Sequence, residues 1–225
     1  MSDADQADQA GQIGQLQADN MRLRRLLNER GAPSTLRHQV RNALGLMRAI
    51  MRRSATGKTS VADFVAHLEG RFDALLRVQT GLLSSPDGQA DLAMIVADEF
   101  LVQAIQEGER ATVQGPAVRI EPKQAELLGL VLHELTTNAI KFGALTAPGG
   151  HIDVSWTLTT EPERSLTLVW AETGQQRAEP SQAFRGFGME VIEGMLPYQL
   201  KAETALEFLT EGVRCTIAMP LPFPT

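Results

Sequence analysis

The stretch "LVLHELTTNAIKFGAL", residues 130–145, decides the fold, because it combines the pattern of a core helix with a row of polar side chains. At about 100° per residue, the apolar residues of this helix share one arc, which is typical of a core-facing surface. They are Leu128, Val131, Leu132, Leu135 and Ala139. Glu134, Asn138 and Lys141 follow at i, i+4 and i+7 and line a neighbouring arc of roughly 60°. Such a row is either a solvated face or one wall of a ligand site.

Length and composition favour a globular protein of one large or two modest domains. The chain has 225 residues, of which 43% are hydrophobic, enough to bury a core. Its longest apolar run, at 127–132, is too short to span a bilayer, and the acidic N-terminus is unlike a signal peptide. These features predict a cytoplasmic location without membrane insertion. The single cysteine, Cys215, excludes an internal disulfide and a cysteine-based metal cluster.

Charge is distributed unevenly along the chain. The formal net charge of −6 argues against general affinity for nucleic acid. However, ten Lys or Arg residues and a single acid, Glu29, lie between Arg22 and Lys58. In a basic-zipper protein the basic region precedes the heptads, whereas here the heptads come first. We therefore expect an acidic protein partner for this region and no nucleic acid.

Heptad spacing in the N-terminal segment, residues 1–31, predicts a short parallel coiled coil. Ile13, Asn20 and Leu27 occupy one core position, and Leu16 and Leu23 occupy the other. An asparagine at such a position fixes register and favours two strands. A lone surface helix is the alternative interpretation.

Residues 32–86 have the pattern of a helical hairpin. Gly31 and Pro33 interrupt the heptads, and apolar residues then recur every three or four positions from Leu36 to Met51. After a turn at 54–60, a second helix extends from Val61 to about Leu82. A hairpin of this size cannot bury both apolar faces alone, so two copies should pair as a four-helix bundle. Both this hairpin and the coiled coil therefore predict a homodimer.

The pattern over residues 90–222 predicts an α+β domain with helices against one face of a mixed sheet. Its predicted elements are a helix from about Leu92 to Gly108, a short strand at 110–115 or 117–121, the helix of the opening stretch from about Lys123 to Phe142, strands at 151–160 and 165–173, a helix at 186–197 and a hairpin at 205–221.

Three segments of this domain carry side chains suited to nucleotide chemistry. In the opening stretch, Asn138 can bind Mg²⁺ through its oxygen, Lys141 can meet phosphate, and Glu134 can polarise a nucleophile. "WAETG" (170–174) places Glu172 at a strand end, where it can accept a hydrogen bond from the exocyclic amine of adenine. "GFG" (186–188) opens a helix, and its glycines let backbone amides approach phosphate. Each signal is weak by itself, but together the three segments suit the phosphates, the metal ion and the adenine of a nucleotide.

The sequence resembles the HWE subgroup of bacterial sensor histidine kinases, named for a histidine in the N-box and a Trp-x-Glu further on. His133 with "ELTTNAIKFGAL" is similar to that N-box, Trp170 and Glu172 supply the Trp-x-Glu, and "RGFGMEVI" is similar to the glycine box. Upstream, "LRHQVRNALGLM" (36–47) resembles the phospho-acceptor box. The similarity extends from about Leu36 to Pro220.

This resemblance implies a dimerisation and phosphotransfer hairpin followed by an ATP-binding domain of the Bergerat (GHKL) type. The positions it implies are His38 as phospho-acceptor, supported by Arg37, Arg41 and Asn42; Glu134 as N-box acid; Asn138 as Mg²⁺ ligand; Lys141 at phosphate; Glu172 and Gly174 at adenine; and Gly186 and Gly188 at the phosphate end. The implied activity is autophosphorylation of His38 from Mg-ATP, then phosphoryl transfer to a receiver aspartate of a response regulator. The alternative is a histidine phosphotransfer protein with a degenerate ATP-binding domain.

The sequence departs from the family pattern in ways that leave parts of the mechanism open. Gln39 stands where the family usually has Arg, and no carboxylate adjoins His38, so the base is either Glu134 or solvent. Gly174 is followed by two glutamines in place of Gly-Pro. The residues before the coiled coil have no sensor-domain pattern, so we expect the input to come either from a longer protein or from a separate sensor protein. We expect His133 to orient or pack, and Trp170 either to pack the sheet or to lie beside the nucleotide.

Overall fold

A computed structural model describes residues 61–161, 163–174 and 186–222, together with the single helical positions 18, 21, 45, 47, 48, 50 and 51. The chain divides into two compact units, Met1–Phe72 and Asp73–Thr225. In the first unit all described positions are helical. Buried apolar side chains there are Ile50, Met51, Phe64 and Leu68. The coiled coil and the first helix of the hairpin otherwise lie outside the described residues.

Helix α1, Val61–Ser84, lies where the sequence predicted the second helix. It begins in the first unit and ends in the second. The turn after it is held by Arg119, which donates to Asp87 Oδ1 (2.5 Å) and to the carbonyl oxygen of Gln89 (2.7 Å). Hydrogen bonds from Ser85 and Arg119 keep the pKa of Asp87 well below its usual range. None of the described helices is both long and apolar enough to cross a bilayer.

The second unit combines helices and strands, as the sequence predicted. Its helices are α2 (Leu92–Val102), α3 (Pro122–Lys141), α4 (Phe187–Glu190) and α5 (Leu196–Leu200), with a π-helical segment, Val191–Met195, between the last two. Its strands are β1 (Ala90–Asp91), β2 (Ala111–Gln114), β3 (Arg119–Ile120), β4 (His151–Thr159), β5 (Ser165–Thr173), β6 (Glu203–Leu209) and β7 (Gly212–Pro220). Helix α2 is shorter than predicted, because Ala104 adopts a positive φ of 53° soon after its end.

Five strands form one mixed sheet in the order β2-β4-β5-β7-β6. Strands β2 and β4 are parallel, and the other neighbours are antiparallel. Strands β1 and β3 form a separate antiparallel pair. In the β4–β5 ladder Ile152 is paired with Glu172, so the start of β4 lies beside the end of β5.

The core lies against one face of this sheet, and the inward positions of β5 show how it is built. Leu166, Leu168, Trp170 and Glu172 alternate with less buried neighbours and are each at most 2% exposed. Phe100 of α2 packs on Trp170, with ring centroids 6.1 Å apart. The fourth inward position therefore places a carboxylate where the first three place apolar groups.

Candidate functional site

The polar row of helix α3 extends from the buried middle of the helix to its exposed end. Glu134 is only 8% exposed, Asn138 is half-buried, and Lys141 lies exposed in the last turn. A solvated face would expose all three side chains, so the burial of Glu134 argues against that interpretation. The row instead has the form of a site that begins inside the domain and opens at the end of α3.

Glu134 lies against the start of helix α4. A Cβ atom added at Gly188 would come within 2.9 Å of Glu134 Cβ and 3.2 Å of its Oε2. Because real Cβ contacts are rarely so short, glycine at this position allows the two helices to approach closely. The structure therefore brings together two predicted site residues that are distant in the sequence.

Glu172 is a buried carboxylate held by two donors. The backbone N–H of Ala144 donates to Oε2 at 2.9 Å, and the indole N–H of Trp170 donates to Oε1 at 3.1 Å. Burial raises the pKa of Glu172 above its ordinary value, although both hydrogen bonds act in the opposite direction. Trp170 is itself 1% exposed, so it both packs the sheet and orients the acid.

The loop that joins α3 to β4, residues 143–150, encloses Glu172; we call it the α3–β4 loop. A Cβ added at Gly143 would lie 2.1 Å from Glu172 Oε2. Gly174 has a φ of +83°, and a Cβ there would lie 2.6 Å from the carbonyl oxygen of Gly149. These two glycines let the loop pack directly on the end of β5.

The predicted residues thus form two clusters linked by helix α3. Glu134 and Gly188 form one, and Glu172, Gly174 and the α3–β4 loop form the other. Asn138 and Lys141 lie on the last turns of α3 between them, and Gly186 caps the start of α4. Four predicted residues, Arg37, His38, Arg41 and Asn42, lie outside the described residues.

His133, next to Glu134, belongs to a buried ionic cluster. Its Nδ1 lies 3.0 Å from Glu99 Oε1, and Arg77 pairs with the other oxygen of Glu99. Burial tends to raise the pKa of Glu99, but the His133 hydrogen bond and the charges of His133 and Arg77 hold it below its ordinary value. His133 therefore helps to fix α3 to helix α2.

The substitution His133→Leu is expected to lower the free energy of unfolding by about 1–3 kcal/mol, because it removes a buried hydrogen-bond partner from Glu99. Thermal unfolding of the single variants, of Glu99→Leu and of the double variant measures this effect. Since the two side chains interact, the double variant should lose less stability than the sum of the single variants. Purely additive losses would contradict this account of the cluster.

Two contributors to the site escaped the sequence analysis. The Ala144 donor is a backbone N–H, which carries no residue-specific signal. Glu99 did carry a signal in the sequence, because it is a charged residue among apolar neighbours on α2, which is unusual. The buried residues of that face include Leu92, Ile95, Val96 and Glu99 itself. Its partner His133 is 34 residues away, so only the folded chain reveals the pair.

Comparison with known proteins identifies the class. Residues 35–117 match the family model of the HWE histidine kinases. Blue-light-activated histidine kinase 1 of Erythrobacter litoralis is 30% identical over 210 residues, which are 89% of this chain and 56% of that kinase. The blue-light-activated histidine kinase of Brucella ovis is 25% identical over 186 residues, 82% of this chain and 38% of that kinase. The chain thus spans about half or less of these relatives.

Solved structures agree on the fold. The blue-light activated histidine kinase of Erythrobacter litoralis aligns with 84% of this chain and 61% of its own, at a TM-score of 0.62 and 17% identity. Its isolated histidine kinase domain aligns with 91% of this chain and 96% of its own, at a TM-score of 0.55 and 16% identity. The part of the chain that the structure describes therefore has the fold of a histidine kinase domain. The family match at residues 35–117 and the relatives that align with most of the chain agree that it is similar to histidine kinases, and the family model specifies the HWE group.

Proposed function

We propose that the chain is the phosphotransfer and catalytic core of a two-component histidine kinase, which phosphorylates His38 from Mg-ATP and passes the phosphoryl group to a receiver aspartate. The observation that carries this proposal is the carboxylate of Glu172, buried at the inward end of β5 and held by Ala144 and Trp170. A buried acid on an otherwise apolar strand face needs a reason, and adenine recognition supplies one.

The residues present fit ATP. A carboxylate has about four lone-pair sites, so two N–H donors leave Glu172 able to accept a further hydrogen bond from the adenine amine. Asn138 would supply an oxygen to Mg²⁺, and Lys141 would meet phosphate charge. Gly186 and Gly188 would let the backbone approach the phosphate end, and Gly174 would stand beside Glu172 at the adenine end.

The chemistry proposed for His38 is a direct phosphoryl transfer. An imidazole nitrogen attacks the γ-phosphorus, the bond to the bridging oxygen breaks, and ADP leaves with that electron pair. The imidazole proton passes to Glu134 or to solvent. Arg37 and Arg41 would then stabilise the phosphohistidine and attract the acidic pocket of a receiver domain, with Asn42 supporting them from the same helix.

Partners and location belong to the same proposal. A response-regulator receiver domain would accept the phosphoryl group, two copies of the chain would form the helical bundle, and a separate sensor protein or a longer chain would supply the input. Support comes from the basic stretch around His38 and from the two apolar faces that the sequence predicts for the hairpin. The cytoplasmic location stays a prediction from composition.

Labelling with Mg-ATP tests the proposal. We expect the wild type to acquire phosphate that is labile in acid and stable in base, as a phosphohistidine is. His38→Ala should acquire none while still binding ATP, and Asn138→Ala should lose most of the label because Mg²⁺ binding fails. Label that survives in His38→Ala would overturn the proposal. A wild type that binds no nucleotide but accepts label from a phosphorylated receiver would instead identify a phosphotransfer protein.

A further inference from the structure

Arg110, just before strand β2, holds the α3–β4 loop with its side chain. Nε donates to the carbonyl oxygen of Gly150 at 3.0 Å. Nη2 donates to the carbonyl oxygens of Leu145 (3.2 Å) and Ala147 (2.9 Å). Its side-chain partners among the described residues are all backbone carbonyls, and all three belong to this one loop. A planar guanidinium with several fixed donors suits such a cluster of acceptors, which a single ammonium group matches less well.

The loop that Arg110 holds makes the contacts that define the Glu172 site. Ala144 donates its N–H to Glu172 Oε2, and Gly149 and Gly150 lie against Gly174. The main chain of Arg110 is tied to the same place, because its carbonyl oxygen accepts from the N–H of Ile152 at 3.0 Å. Ile152 is the residue paired with Glu172 in the sheet. The side chain of Arg110 therefore holds the α3–β4 loop, and its backbone holds the start of strand β4. Both of these segments flank Glu172.

We propose that Arg110 is a positioning residue for adenine recognition. It acts through the α3–β4 loop, which places the Ala144 amide and so aims the Glu172 carboxylate. The inference rests on the proposed function, since it presumes that Glu172 accepts the exocyclic amine. Without Arg110, the loop carbonyls lose their shared cation, the loop relaxes, and the carboxylate loses the donor that holds Oε2. Adenine selectivity then falls together with ATP affinity.

The test compares the binding of ATP with that of inosine triphosphate, which carries an oxygen in place of the adenine amine. We expect the wild type to prefer ATP. Arg110→Gln should weaken the binding of ATP by roughly tenfold and should weaken the binding of inosine triphosphate much less. The ratio of the two affinities should therefore become smaller than in the wild type. Arg110→Lys keeps the charge without the fork and should give an intermediate ratio. In a steady-state assay the KM for ATP should rise with little change in kcat.

Arg164→Gln is the matched control. Arg164 also donates to a backbone carbonyl, that of Pro222 at 2.7 Å, but it precedes β5 whereas Glu172 lies near the end of that strand. The Arg164→Gln variant should prefer ATP over inosine triphosphate as strongly as the wild type does. If Arg110→Gln and Arg110→Lys keep the wild-type preference, or lose both nucleotides equally, the inference is wrong. A wild type that binds neither nucleotide would instead overturn the proposed function.

Discussion

Glu172→Gln is expected to weaken the binding of ATP by roughly 10- to 100-fold. The change keeps the volume of the side chain but replaces one acceptor oxygen with an NH₂ donor. Both oxygens already accept N–H groups, from Ala144 and from Trp170, so the new donor must face one of them. The charge that would attract the adenine amine is lost as well. Calorimetric titration of each protein with ATP measures the change in affinity.

Glu126→Gln provides the matched control for this substitution. Glu126, on helix α3, is a buried acid like Glu172, its pKa is also raised by burial, and it accepts a hydrogen bond from Gln79. It lies far along the helix from Lys141, at the end away from the polar row. Its replacement should leave ATP affinity unchanged. Equal affinity in wild type and Glu172→Gln would show that Glu172 does not read adenine.

The pKa of Glu172 also predicts how binding depends on pH. Burial raises this pKa, so Glu172 takes up its proton at a higher pH than an ordinary glutamate as the solution is acidified. Its contribution to the stability of the free fold is fully present below the unfolded-state pKa and is lost as the pH rises through the folded-state value. Adenine recognition needs the carboxylate and follows the opposite trend. ATP affinity should therefore fall with acidification in the wild type, and this component should be absent from Glu172→Gln.

Gly150→Ala is expected to destabilise the second unit by about 1–3 kcal/mol, the range typical of overpacked sites. A Cβ at Gly150 would lie 1.7 Å from the carbonyl oxygen of Ala144 and 2.5 Å from its carbonyl carbon. Both are backbone atoms, so no side-chain rotation relieves the clash. Because the N–H of Ala144 holds Glu172, the displaced loop should also weaken ATP binding. Thermal unfolding and ATP titration of the same variant test both effects.

The neighbouring residue supplies the control. A Cβ at Gly149 meets no atom within 4 Å, so Gly149→Ala should change stability by less than about 0.5 kcal/mol. Its ATP affinity should equal that of the wild type. A destabilised Gly150→Ala beside an unaffected Gly149→Ala would show that the effect comes from steric crowding at Gly150, and not from a general sensitivity of the loop to substitution. If Gly150→Ala has the same unfolding temperature and the same ATP affinity as Gly149→Ala, the described packing of the loop is wrong.

Much of the second unit follows from local patterns in the sequence. Period-3.6 spacing indicated helix α3, and alternation indicated β4 and β5, because each element must place its apolar side chains on one side. The same spacing placed Glu134 on an arc beside the apolar face of α3, and the predicted end of β5 singled out Glu172. The predicted helix α2 was longer than the observed one, because no residue there signals that Ala104 will adopt a positive φ.

The contacts between distant segments did not follow from those patterns. Gly188 is read as a phosphate-binding glycine in the sequence, yet in the structure it also makes room for Glu134. Arg110 carries no motif, because its partners are backbone carbonyls that every residue possesses. His133 and Glu99 are separated by 34 residues, and neither identifies the other.

The sequence by itself determined the order of the elements, the α+β class of the second unit and the candidate residues of the nucleotide site, because side-chain type and spacing are local properties. The tertiary structure alone decided that Glu134 is buried against α4, that Glu172 is held by Ala144 and Trp170, and that Arg110 holds the loop between them. The physical reason is that burial and hydrogen bonding depend on which segments meet in space. A carboxylate shows in the sequence, whereas the donors that aim it appear only when the chain folds.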